Sequence, residues 1–154
     1  MGTRWLLSLV LVGVAWGGRA LPRADAAAPE DGRWAVLVQH SAGLNEPLVQ
    51  RYGWPEDQIY VLDPNKEKIE KVLQELEKKL TGNDLLLLSS CGHTLSGCFI
   101  GTDVQLQEIQ RHLEKIQAFK VVFQSTCHSG AAICGLPSAD IVYAACRDGE
   151  FDGG

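Results

Sequence analysis

Apolar residues in this chain fall into short dense runs separated by longer stretches of helical period, and that rhythm sets the expected fold. "RWAVLVQHS" is a Val-rich run predicting a buried strand over Arg33 to Gln39. "LNEPLVQRYGWPEDQ" predicts a short helix or turn, broken at Gly53 and Pro55. "IYVLD" predicts a second strand, and the turn residues "DPN" lead into a helix start. From Lys66 to Leu80 the apolar positions Ile69, Val72, Leu73, Leu76 and Leu80 keep helical spacing with charges between them, as a helix lying on a sheet requires. "LLLLSS" shows no alternation, which predicts a third strand buried on both faces. "DVQLQEIQRHLEKIQ" predicts a second amphipathic helix through Val104, Leu106, Ile109, Leu113 and Ile116. "FKVVFQS" and "DIVYAAC" read as the fourth and fifth strands. Strands alternating with helices imply parallel pairing through right-handed crossovers, hence an α/β domain, a three-layer α/β/α sandwich with a mainly parallel sheet.

The first 32 residues follow a different logic. Arg4 precedes an apolar stretch from Trp5 to Trp16, and small residues come next. This pattern predicts a signal peptide over residues 1–26, cleaved after Ala20 or Ala26, then a short linker over 27–32 and one folded domain over 33–154. The expected location is therefore secreted or extracytoplasmic, with no membrane span after cleavage, because the apolar stretch falls short of the roughly 20 residues a span needs. A net charge of -5 with no Lys/Arg block gives no surface for nucleic acid. Nothing in the pattern calls for a cofactor.

The chemistry concentrates at two strand ends. In an open parallel sheet, ligand sites gather beyond the carboxyl ends of the strands. The third strand runs into "SSCGHTLSG" and delivers His93; the fourth runs into "STCHSG" and delivers Cys127. If these strands are neighbours, a thiol and an imidazole face each other, the minimum for nucleophilic attack on a carbonyl. Gly130 and the small residues "SGAA" would let a substrate approach the backbone. Other assignments compete. Cys127 could be a buried structural thiol, or bridge to Cys91 at the adjacent strand end. Cys91, His93, Cys98, Cys127 and His128 could bind a metal, although their spacing does not follow structural zinc pairs, and the expected metal complement is none. Five cysteines leave at least one thiol without an intramolecular partner, and Cys134 and Cys146 are expected as core thiols or a stabilising pair. His128 is a rival base that strand alternation should turn away from its neighbour's sulfur. His112, among charged residues, is expected to face solvent, and His40 is expected in a loop near the same edge.

A hydrophobic strand ending in Gly-His, followed by one ending in Cys-His-Ser-Gly, resembles the caspase/legumain-like superfamily of cysteine peptidases, which includes caspases, metacaspases, gingipains and legumain. "RYGWPEDQIYVLDPNKEKIEKVLQELEKKLTGNDLLLLSS" resembles the legumain-like and bacterial caspase-like pattern upstream of the histidine, and "ADIVYAACRDGE" resembles the next family strand. The resemblance runs from Arg33 to Glu150. It implies a caspase-like fold, Cys127 as nucleophile, His93 as the proton-handling base, and backbone N–H groups at Cys127 and Thr94 around the oxyanion. It also implies a protein or peptide substrate and a domain that relatives extend beyond the fifth strand. Two positions depart from the pattern. Thr94 stands where the family usually has glycine, so its Cβ is expected to restrict the backbone there. Ser125 stands where relatives that cleave after Arg or Lys often carry Asp, so a basic P1 preference is not expected. Thr94, together with a chain that stops just after the fifth strand where relatives continue, keeps a second expectation open, a catalytically inactive relative serving as a binding module.

Overall fold

The computed structural model describes residues 32–101 and 103–146. The expected signal peptide, the linker up to residue 31, and residues 147–154 lie outside them. Five strands form one parallel sheet: β1 (Arg33–Gln39), β2 (Ile59–Leu62), β3 (Leu85–Gly92), β6 (Phe119–Thr126) and β7 (Ile141–Ala144), in spatial order β2-β1-β3-β6-β7. β4 (Cys98–Ile100) and β5 (Val104–Gln105) make a separate antiparallel hairpin. Helices α1 (Asn45–Tyr52), α2 (Lys66–Lys79), α3 (Leu106–Leu113) and α4 (Ala131–Gly135) lie in the connections. The architecture is the expected three-layer α/β/α sandwich.

The layers are unequal, and topology explains why. The β1-to-β2 crossover steps one way along the sheet, and all later crossovers step the other way. Right-handed connections therefore put α1 on one face and α2, α3 and α4 on the opposite face. On the thick side, Trp34, Val36 and Val38 of β1, Leu86 and Leu88 of β3, and Val122 of β6 pack against Ile69, Leu73 and Leu76 of α2 and Ile109 and Leu113 of α3. Each fully buried Leu or Ile there contributes about 1.5–3 kcal/mol. On the thin side, α1 buries none of its residues. Arg33 holds its C-terminal end, donating to the Tyr52 carbonyl at 2.9 Å and the Gly53 carbonyl at 2.6 Å. Much of this face is open: Val61, Ile141 and Tyr143 are exposed, and Phe123 and Tyr143 stack with ring centroids 4.8 Å apart.

That asymmetry corrects the expectation for β3. Leu86 and Leu88 are buried, but Leu85 and Leu87 are only half-buried, because no helix as large as α2 covers their side. The second amphipathic helix is also shorter than expected. Its first apolar residue, Val104, belongs to β5, and the helix begins at Leu106 with a capping box between Gln105 and Glu108. The apolar positions themselves, Val104 to Ile116, are all buried. α2 follows its pattern closely: the Asn65 side chain accepts from the Lys68 N–H at 2.9 Å, and Lys78 and Lys79 occupy the last turn, where cations complement the helix dipole.

His112 is buried rather than solvent-facing. It sits three residues after Ile109 and four before Ile116, on the core stripe of α3, and its Nδ1 meets Glu77 Oε1 of α2 at 2.5 Å. Lys66 pairs with Glu108 at 2.5 Å along the same seam. That ammonium, through its hydrogen bond, holds the Glu108 carboxyl below the ordinary carboxylate range.

Candidate active site

β3 and β6 pair in parallel from Leu85↔Phe119 to Gly92↔Thr126. The next residues along the two strands are His93 and Cys127. Strands hydrogen-bonded side by side lie about 4.8 Å apart. Both residues therefore leave the sheet together at its carboxyl edge, next to the point where the β1 and β3 connections diverge in opposite directions. That is where open α/β sheets place their ligand crevices. His93 is exposed and Cys127 half-buried.

The loop carrying His93 is tied down at its far end. The His93 carbonyl accepts from the Gly101 N–H at 2.9 Å, and Leu95 N–H donates to the Gly101 carbonyl at 3.3 Å. The hairpin that closes this loop is docked on the sheet by two side chains from registered positions, Ser90 and Gln124. Ser90 Oγ donates to the Phe99 carbonyl at 3.1 Å, while Gln124 Nε2 reaches the same carbonyl at 2.9 Å and that of Cys98 at 3.1 Å. Thr94 is buried and bridges to Gly101, its Oγ1 donating to the Gly101 carbonyl at 3.2 Å. Among the described non-glycine residues only Gln39 and His128 have positive φ. Thr94 thus lies outside the positive-φ region that glycine could enter at this position.

Beyond Thr126 the chain turns at once, with the Ser129 N–H donating to the Thr126 carbonyl at 3.2 Å. His128 takes the left-handed region with φ 58°. It is half-buried in a turn, so strand alternation, the reason expected to turn it from its neighbour's sulfur, does not apply to it. Ser129 fixes this turn to the end of β7 through its Oγ, which accepts from the Cys146 N–H at 2.9 Å.

Other expected residues are not drawn into the pair. All five cysteines are unbridged. Cys91 pairs in register with Ser125, two positions short of Cys127. A diagonal of that kind spans roughly 7–8 Å, beyond the usual 4.4–6.8 Å range of Cα separations for a disulfide. Cys134 is exposed, neither a core thiol nor paired with Cys146; the buried cysteine is Cys98, with the Gln105 amide at 3.3 Å from its sulfur. His40 opens a single 3-10 turn after β1 and is exposed at the same edge. Among the described residues, no three His, Cys, Asp or Glu side chains converge to hold a metal. A separate polar groove of about 240 Å³ between α2 and α3, lined by Glu70, Gln74, Glu108, Arg111, His112 and Lys115, lies outside the pair.

No family model and no curated protein matches the chain.

Several residues that shape the edge were not singled out from the sequence. Ser90 and Gln124 are polar interruptions of apolar strands, a signal available in "LLLLSS" and "VVFQS". Gln39 left no such trace. It has φ 58° and ψ -124°, a conformation that costs a side-chain-bearing residue of order 1–3 kcal/mol. Its side chain lies against the bare Cα of Gly92, where a Cβ would come within 2.6 Å of Gln39 Cδ. Gly92 itself has φ 147°. Glycine before His93 is therefore favoured by its conformation, and the space over its Cα is taken up by the terminal amide of Gln39.

Proposed function

We propose that this chain is an exported cysteine endopeptidase of the caspase/legumain-like kind, acting on protein or peptide substrates. The observation that carries the proposal is the β3–β6 register, which supports His93 and Cys127 as side-by-side neighbours at the sheet's ligand-binding edge. The chemistry is acyl transfer. His93 takes the Cys127 proton, and the sulfur attacks the peptide carbonyl carbon. Backbone N–H groups at Cys127 and Thr94 hold the oxyanion. The C–N bond then breaks, with His93 returning the proton to the leaving amine. Water, deprotonated by His93, opens the thioester and regenerates the thiol. Ser125 supplies no negative charge for a basic P1 side chain. Among the described residues no helix is long and apolar enough to cross a membrane.

The test is titration with a peptide-like, thiol-reactive probe. Stoichiometric labelling at Cys127 is expected, lost in Cys127→Ala and about 10²-fold slower in His93→Ala, within the range of a general-base contribution. Both variants should unfold within about 1 kcal/mol of wild type, since neither side chain belongs to the packed core. Labelling that ignores both substitutions would refute the assignment. A binding module is the second reading. The apolar side chains left open on the thin face, Val61, Ile141 and Tyr143, favour it. Failure of the probe to label any cysteine selectively would leave that reading standing.

A further inference from the structure

We infer that Gln39 is a positioning residue that sets the direction in which His93 leaves the sheet; the inference rests on the proposed Cys127–His93 pair. Three observations meet at one point. Gln39 is the last residue of β1 and lies in register beside Cys91, one residue before Gly92. Its backbone stands at φ 58° and ψ -124°, where glycine would sit without strain. Its side chain fills the space over the Gly92 Cα that a Cβ would otherwise take, with Cδ 2.6 Å and Nε2 3.0 Å from that position.

A turn alone would be served better by glycine at position 39. A long side chain rooted in strained backbone, with its terminal amide laid over the bare Cα of Gly92, acts as a wedge between β1 and the peptide that leads to His93. The far end of the same loop is fixed by the Gly101 N–H on the His93 carbonyl. The loop is thus held from both sides of His93, by Gln39 before it and Gly101 after it. Gln39 touches no reacting atom in this scheme; it acts through Gly92.

The experiment uses the full chain under mild reduction and measures the rate at which iodoacetamide alkylates Cys127, followed by peptide mapping, beside thermal unfolding. Gln39→Gly should keep or raise the melting temperature, because it relieves the strained φ, yet slow Cys127 alkylation by about tenfold or more, towards the His93→Ala rate. A merely structural residue would lose stability and reactivity together. Gln39→Met, of similar length, should restore the rate. Gln39→Asn should not, because it tolerates positive φ but is one carbon too short to cover Gly92. In the same way Gly92→Ala should lower the melting temperature less in the Gln39→Gly background than in wild type, since the overlapping side chain is gone. If His93→Ala slows alkylation and Gln39→Gly does not, the positioning role is overturned while the pair stands. If Gly92→Ala costs the same in both backgrounds, the wedge is overturned. If His93→Ala changes nothing, the pair itself fails, and the role of Gln39 falls with it.

Discussion

Replacing Val122 by Thr, and separately Val121 by Thr, makes one chemical change on opposite faces of the same strand. Thr keeps the β-branch and nearly the same volume, so strand preference is held constant and only one methyl becomes a hydroxyl. Val122 is fully buried under the α2–α3 layer. There the change removes about 0.8 kcal/mol of apolar burial and hides a hydroxyl at about 1–3 kcal/mol, for a total of about 2–4 kcal/mol. Val121 is half-buried on the thin side, beside Leu87 and the exposed Ile141. Its hydroxyl reaches water, and the cost should stay near 0.5 kcal/mol or less. Urea unfolding followed by tryptophan fluorescence reads the difference, since Trp34 lies in the core beneath Lys79. With a slope of about 1–3 kcal/mol per molar, the midpoint should fall by about 1 M or more for Val122→Thr and by a few tenths for Val121→Thr. Equal losses would refute the account: both faces would then be covered alike in solution.

Two further outcomes follow from polar contacts at α2 and its neighbours. His112→Ala strips Glu77 of its closest partner and should destabilise the chain by about 1–3 kcal/mol, measured by the same urea titration; no effect would mean that the buried pair adds nothing over solvent. Tyr60 has its phenol pushed up to about 12, first by burial and then by its hydrogen bond to Glu75 at 2.7 Å. The folded chain therefore holds this proton where the unfolded chain has released it. The associated stability is complete below pH 10 and drains away as the pH rises towards 12, so Tyr60→Phe should flatten that alkaline limb of the unfolding profile.

The order of strands and helices was legible because each element carries a period of its own. The five strand positions, α2, and the apolar stripe from Val104 to Ile116 all follow from spacing. Coverage of each sheet face was not legible in the same way. "LLLL" presents the same side chain to both faces, and which face receives cover depends on the direction of each crossover. The charged neighbours of His112 point to solvent, while its spacing from Ile109 and Ile116 places it on the core stripe, and spacing wins. The β4–β5 hairpin consists of strands too short to show a period. At the edge, His93 and Cys127 stood out because strand ends in parallel sheets collect ligands. Gln39 did not, since nothing in its side chain announces a positive φ.

Neighbouring strands in the main sheet are joined by crossovers, never by a hairpin. Leu85 meets Phe119 across the segment that carries β4, β5 and α3, so this pairing must close a long loop before any contact rewards it. Sheets assembled in this way form slowly, and the thiols stay accessible while they wait. Cys91 and Cys127, held on different rows of the finished sheet, meet freely in the unformed one, and Cys98 is shielded only once its hairpin has docked on Ser90 and Gln124. Refolding in the absence of reductant is thus a race against oxidation. Reductant during refolding should raise the yield of native chain, whereas an oxidising mixture should trap bridges that the native register does not allow.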